Sequence, residues 1–190
     1  MATKRLQGMQ AAILVTNGFE QAELEGPRKA LDEAGATTLV IAPDGGTVQG
    51  MNHNDKGDEF AVDEVLADAS PEQFDAVLLP GGVVNADTLR MNPAAHRFVQ
   101  SMQAESKSIA MICHAPWLLV SSGLMKGRHI TSYYTLQDDI RNAGGKWSDL
   151  ETVVDQNWVS SRKPDDIPAF NKAMVQLFAQ SQGKARKAGA

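Results

Sequence analysis

Short apolar runs alternate with longer amphipathic stretches along the whole chain, and this alternation restricts the fold more than any other feature. Ala11 to Thr16 is a continuous apolar run rich in strand formers, followed by Asn17-Gly18 and a helical stretch from Gln21 to Ala34 that Gly35 stops. A second strand, Thr37 to Ala42, comes at once, so strand, helix and strand make a right-handed parallel crossover. Pro43 to Glu59, rich in Gly, Asn and Asp, reads as loop with a short hairpin around Thr47 to Met51, and Val62 to Ala69 reads as a short helix. Phe74 to Leu79 is a buried strand ending in Pro80-Gly81-Gly82; Asp87 is placed as the N-cap of a short turn to Arg90, and Pro93 opens a helix to Glu105. After the strand Ile109 to Ile112 and a helix closing near Gly123 come a strand at His129 to Ser132, a helix at Leu136 to Ala143, and strand signal over Thr152 to Ser160 broken at Asp155-Gln156-Asn157. A final amphipathic helix begins at Pro164 to Asp166 and carries Ile167, Phe170, Met174, Leu177 and Phe178 on one face. The order predicts an α/β sandwich, a mostly parallel sheet with helices on both faces.

The 190 residues fit one domain, with 1–9 and 183–190 expected as flexible ends, including the basic tail residues Lys184, Arg186 and Lys187. Eighteen basic residues against 23 acidic give a net charge of -5, and the basic residues are scattered, which argues against a nucleic-acid surface. One cysteine excludes an internal disulfide, and neither a secretory signal pattern nor a membrane-length apolar run is present, so a cytoplasmic location is expected. His53, His96, His114 and His129 have no short ligand spacing with each other or with Cys113, so no metal is expected. No glycine-rich phosphate loop follows a strand, so no nucleotide cofactor is expected either.

The single cysteine lies in I-A-M-I-C-H-A-P-W-L-L, where Pro116 can occupy only the first turn of the helix that follows. Cys113 therefore falls at a strand-to-helix turn, beside the unpaired N–H groups and positive end of the new helix, a field that favours thiolate. It is either a nucleophile at an elbow or a small buried hydrophobe. Two further strand ends face the same edge of such a sheet. The first, T-N-G-F-E, delivers Glu20, a candidate site acid or a helix-start carboxylate; the other, P-G-G, offers backbone N–H groups at Gly81 and Gly82 to an oxyanion, or makes a tight turn. His114 is a candidate proton carrier if its ring folds back toward the sulfur.

N-G-F-E after the first strand, F-D-A-V-L-L-P-G-G, the elbow I-C-H-A-P, G-R-H-I-T-S-Y, D-D-I-R-N-A-G-G and V-V-D-Q-N-W-V-S-S-R-x-P-D-D-I-P-A-F occur in that order, and together they resemble the PfpI family of intracellular proteases and stress proteins. That family belongs to the superfamily of the parkinsonism-associated deglycase and the class I glutamine amidotransferases. The resemblance implies a flavodoxin-like sandwich with Cys113 as nucleophile at the elbow, His114 beside it, and Glu20 hydrogen-bonding the sulfur. Backbone N–H groups at Gly82 and His114 would form the oxyanion site, and Tyr133 matches a tyrosine near the pocket of some relatives. Protease-like members orient the histidine with an acid from a neighbouring subunit; the matching position is Asp87, which implies a homo-oligomer, a dimer or a hexamer. Ala115, where many members carry glycine, is expected to narrow the site. The implied activity is a cofactor-free, cysteine-dependent deglycase or hydrolase of the glyoxalase III type, acting on methylglyoxal, glyoxal or their adducts on proteins and nucleotides. The alternatives are a peptidase working through an acyl-enzyme, a redox sensor in which Cys113 becomes a sulfinic acid, and a chaperone-like stress protein.

Overall fold

The computed structural model describes residues 5–188, with side chains through residue 182; Lys4 and the tail side chains Lys184, Arg186 and Lys187 lie outside the described parts. Twelve strands and six α-helices run in the order β1 (Gln10–Leu14), β2 (Phe19–Glu20), α1 (Gln21–Ala34), β3 (Thr37–Ala42), β4 (Thr47–Asn52), β5 (Asp55–Ala61), β6 (Glu64–Val65), β7 (Ala76–Leu79), α2 (Val83–Leu89), α3 (Pro93–Ala104), β8 (Ser108–Ile112), α4 (Pro116–Ser121), β9 (His129–Ile130), α5 (Gln137–Asn142), β10 (Lys146–Trp147), β11 (Thr152–Asp155), β12 (Trp158–Ser161) and α6 (Ile167–Ala188). The main sheet has seven strands in the order β11-β12-β8-β7-β1-β3-β6, parallel except for the antiparallel edge strand β11. No helix among the described residues is long and apolar enough to cross a membrane.

Period-two alternation along the central strands builds two cores. Ala11, Ile13, Ala76, Leu78, Ala110 and Ile112 face one layer, where they meet Leu24 and Leu31 of α1 and Phe170 and Met174 of α6. Ala12, Leu14, Val77, Leu79, Ile109 and Met111 face the other, against Leu89, Phe98, Leu118 and Ile140 from α2 to α5. Burying each large apolar side chain contributes about 1.5–3 kcal/mol, so both faces of β1, β7 and β8 resist displacement and the loops at their carboxyl ends rest on a rigid frame. The chain places β3 on one side of β1 and returns with β7 on the other, so strand order reverses between β1 and β7. Open α/β sheets bind ligands at that switch.

Several expected elements differ. Val62 to Ala69 is not helical: Leu66 N–H donates to Ala42 O at 2.8 Å and Val40 N–H to Asp63 Oδ2 at 2.7 Å, so pairing with β3 outcompetes a helix and β6 forms. The expected loop from Pro43 to Glu59 is mostly the β4–β5 hairpin, with a register irregularity between Gln49 and Met51. Asp87 caps nothing; α2 starts four residues earlier with Gly82 at its N-cap. The expected strand at His129 to Ser132 shortens to β9, which pairs with β10 in a separate two-stranded sheet. Leu6 and Met9, placed in a flexible lead-in, are fully buried in the α1/α6 core.

Candidate active site

Cys113 directly follows β8, with φ at +63°, in the left-handed region. A non-glycine residue there costs about 1–2 kcal/mol, and the neighbouring strands hold it in place. Cys113 N–H donates to Ser161 O at 3.1 Å, Tyr133 N–H donates to Cys113 O at 2.9 Å, and Ala115 N–H closes back on Ile112 O at 3.1 Å. With both backbone polar groups bound by other segments, the strained turn aims the side chain into the cleft above the strand ends.

The P-G-G turn after β7 meets this elbow with no space for side chains. A Cβ on Gly81 would lie 2.7 Å from Cys113 Cβ, and one on Gly82, whose φ is +90°, would lie 2.8 Å from Phe19 Cα. Asn85, fully buried, pins the turn to the loop after β1: its amide donates to Pro80 O and Gly81 O at 3.0 and 2.9 Å, and its Oδ1 accepts from Thr16 N–H at 2.7 Å. The backbone N–H groups of Gly82 and His114 consequently face the Cys113 sulfur, and both favour its thiolate.

Glu20 does not reach the sulfur. Its Oε2 accepts from His53 N–H at 3.1 Å and lies 3.7 Å from His53 Nδ1, on the rim of the cleft. The acid at the sulfur is Glu23, one turn further along α1 and fully buried. Glu23 Oε2 accepts from Gly81 N–H at 2.8 Å, Oε1 is buried with no hydrogen bond to another described residue, and the carboxyl as a whole neighbours the Cys113 thiol. The N-cap Glu20, in extended backbone, turns toward His53, whereas Glu23, the third residue of α1 and on the face of Pro27 and Leu31, turns into the core.

Burial controls the electrostatics. Desolvation raises Glu23 from 4.5 to about 8, against the pull of the Gly81 N–H. Burial likewise pushes the Cys113 thiol up, and the neighbouring Glu23 carboxyl raises it further; the N–H groups of Gly82 and His114 offset only part of this. The helix-end field anticipated from the sequence is thus outweighed, and the resting sulfur at neutral pH is a thiol. His114 Nδ1 lies 3.0 Å from Sγ. Burial lowers the imidazole to about 4, so at neutral pH it is uncharged and able to take the thiol proton. Tyr133 stacks on the His114 ring at 4.7 Å and 29°, and Trp117 meets it edge-on at 5.4 Å with its indole N–H tied to Asp139 Oδ2 at 2.8 Å.

These groups lie in a cleft of about 680 Å³ whose walls include Met51, His53, Val83, Val84, Tyr133 and Lys163. The structure brings together Cys113, His114, Gly82, Tyr133 and Glu20, with Gly81 directly behind the elbow, and adds Glu23 and Asn85, which the sequence reading missed. Asp87 stays apart, exposed on α2 and without a hydrogen bond or ion pair to another described residue. The Ala115 methyl is buried in the core beneath α4 and does not narrow the cleft. No group of three or more His, Cys, Asp or Glu able to hold a metal occurs among the described residues.

A flavodoxin-like sandwich with a left-handed cysteine at the end of its central strand, two backbone N–H groups on the sulfur and a buried acid behind it defines the cysteine-elbow class of α/β proteins. The chain belongs to the DJ-1/PfpI family, whose pattern it matches over residues 9–177. It is 40% identical over 170 residues to the deglycase TK1284 of Thermococcus kodakarensis, covering 90% of this chain and 99% of that one. It is 37% identical over 167 residues to the putative cysteine protease YraA of Bacillus subtilis, covering 88% and 96%. The crystal structure of Drosophila melanogaster DJ-1beta superposes with a TM-score of 0.81 at 25% identity, covering 95% of this chain and 97% of that one.

Proposed function

We propose that the protein is a cysteine-dependent deglycase that converts 2-oxoaldehydes, free or released from their amine and thiol adducts, into hydroxy acids. The observation that carries this reading is the Cys113 sulfur with neutral His114 Nδ1 at 3.0 Å and the Gly82 and His114 N–H groups converging on it. In methylglyoxal, the sulfur adds to the aldehyde carbon as His114 takes the thiol proton, and the new alkoxide is protonated to a hemithioacetal. The C1 hydrogen then leaves as a proton and one returns to C2, so C1 rises to the acyl level while the C2 ketone becomes an alcohol; no outside oxidant is needed. Water attacks the resulting thioester, releases lactate and restores the thiol. An amine adduct enters by collapse of its hemiaminal to free amine and aldehyde. The N–H pair is suited to the charge on oxygen at both additions, and Glu23, protonated below about pH 8, leaves the sulfur without a competing negative charge.

The name of the Thermococcus kodakarensis relative supports the same reading. The Bacillus subtilis name points to peptide hydrolysis by the same sulfur and oxyanion donors; a cleft of about 680 Å³ is of a size for small adducts. The low exposure of Cys113, 7%, and its raised thiol pKa weigh against a peroxide sensor. Exposed and unpartnered, Asp87 is available to a second copy of the chain, which fits a homo-oligomer in which it orients the neighbour's His114. The test is incubation of the protein and its Cys113→Ala variant with methylglyoxal and with its lysine and thiol adducts, measuring lactate. Lactate from the parent and none from the variant is expected; none from the parent overturns the reading.

A further inference from the structure

The β4–β5 hairpin brings Met51, His53 and Asn54 to the cleft, yet its own means of staying there are few. Among the described residues β5 pairs only with β4, and β4 holds the rest of the fold through two residue pairs with β2, Phe19 with Gly50 and Glu20 with Met51, and through Gln49, whose N–H donates to Asn17 Oδ1 at 2.8 Å and whose carbonyl accepts from Gly18 N–H at 2.9 Å. The strand β5 itself is mostly exposed and charged, D-K-G-D-E-F-A. Its base has an apolar anchor: Val48 is buried, and Phe60 packs edge-on against Phe19 with ring centroids 5.4 Å apart.

Toward the tip the anchor is polar. Gln21, 8% exposed at the start of α1, accepts from Asp58 N–H at 2.7 Å and donates to Asp58 Oδ2 at 2.8 Å, so both halves of its amide are matched to one residue. A Cβ on Gly57 would collide with Gln21 Oε1. From the preceding residue, Glu20 holds His53 N–H at the tip, where His53 has φ of +57°. The hairpin is thus attached at its base through Val48, Phe60 and Gln49 and further along through Glu20 and Gln21, and removing the Gln21 bonds loosens the outer part while the base stays packed.

We propose that Gln21 is a positioning residue: through its paired hydrogen bonds to Asp58 it fixes the hairpin wall of the cleft, and thereby sets affinity for the part of the substrate beyond the reactive carbonyl. Its kinetic consequence rests on the deglycase reading; its geometric one does not. Because the chain has a single cysteine, thiol alkylation reports on Cys113 alone. The experiment compares alkylation by iodoacetamide with alkylation by the bulky N-(1-pyrenyl)maleimide, and measures KM and kcat for the methylglyoxal adduct of Nα-acetyl-lysine. The proteins are the parent, Gln21→Leu, Asp58→Ala and the double variant Gln21→Glu with Asp58→Asn. The double variant exchanges donor and acceptor and restores both bonds, and Glu25, an exposed acceptor of the Gln21 amide at 3.2 Å, is free to swing away from the new charge.

Losing two hydrogen bonds corresponds to a change of about tenfold. Gln21→Leu should raise the bulky-to-small alkylation ratio and KM by about that factor, with kcat held within about twofold; Asp58→Ala, which alters only an exposed side chain, should move the ratio the same way if Gln21→Leu does not fold. The double variant should bring both quantities back toward the parent. An unmoved ratio overturns the proposal, as does an equal change in both alkylation rates or failure of the double variant to restore the parent. A ratio that moves in a protein that turns over no adduct removes the deglycase reading and leaves the clamp standing.

Discussion

Glu23→Gln should change how stability depends on pH, and the size of the change follows from the burial of this carboxyl. Its pKa in the folded protein is about 8 against 4.5 in the unfolded chain. Between those values the folded state keeps a proton that the unfolded state has released, so stability falls as pH rises through this window, by about 1.4 kcal/mol per pH unit. The full span from 4.5 to about 8 corresponds to roughly 5 kcal/mol lost by the parent above pH 8 relative to pH 4. His114 has the opposite sign: its folded pKa of about 4 lies below 6.5, so its contribution is complete above pH 6.5 and fades as pH falls toward 4. From pH 4.5 to 6.5 the two groups oppose one another, and above 6.5 Glu23 acts alone. Glutamine keeps an oxygen for the Gly81 N–H and the side-chain volume but does not titrate. Urea denaturation of both proteins at pH 5, 6, 7 and 8 isolates the carboxyl in the difference curve. That difference should grow in favour of Glu23→Gln by about 1 kcal/mol or more per pH unit from 5 to 8. Parallel curves would show that Glu23 ionises as freely in the folded protein as in water, and the account of the sulfur's environment would fall with it.

Gly82→Ala places a side chain at φ +90° against Phe19 and Gly18; it should lower stability by about 1–3 kcal/mol and slow Cys113 alkylation, and a urea midpoint equal to the parent's would contradict the tight seat of this turn. Asp87→Ala should lower turnover without changing the denaturation midpoint, since Asp87 is exposed and its side chain is unpaired among the described residues; full activity in a species shown by sedimentation to be monomeric would rule out a cross-subunit role. Arg128 lies over the Trp158 ring at 4.1 Å and donates to Gln103 and Asn157 at 2.9 Å beside Asp155. Arg128→Met should therefore destabilise by about 3 kcal/mol while leaving the iodoacetamide rate of the folded protein near the parent's, and equal loss of both would place it in the site.

The layered fold was legible because period-two apolar runs and 3.6-period stripes are statements about which faces are buried, and the seven-stranded sheet satisfies both at once. Short elements followed a different rule. The segment Val62 to Ala69 carries a helix-compatible composition, yet the open edge of β3 offers N–H and carbonyl groups that must be paired, and that tertiary demand made β6 instead. The hairpin at residues 47–61 was half hidden because β5 is polar from Asp55 to Glu59 and offers its first apolar residue only at Phe60.

Within the site, the strand-end rule leads to Cys113, Gly81 and Gly82, which the fold brings together, and to Glu20, whereas the carboxyl beside the sulfur is that of Glu23; the difference is physical. A strand end delivers the residues of the turn to the sheet edge, which is where Glu20 lies, on the rim with His53. The sulfur, however, lies below that rim, level with the first turn of α1, so the residue that reaches it must be one helical turn further along and on the buried stripe. Counting back by four from Leu31 through Pro27 arrives at Glu23, on a face whose other members are apolar. A carboxyl on that stripe was the readable anomaly: burying it without a counter-charge is expensive enough to raise its pKa toward 8, and a buried, perturbed carboxyl beside a thiol marks a candidate site residue. By the same reasoning Glu20 and Gln21 stand together at the rim to hold the hairpin, and Glu23 stands behind the elbow to hold a proton. One turn of helix thus separates the residues bonded to the hairpin wall from the buried carboxyl beside the sulfur.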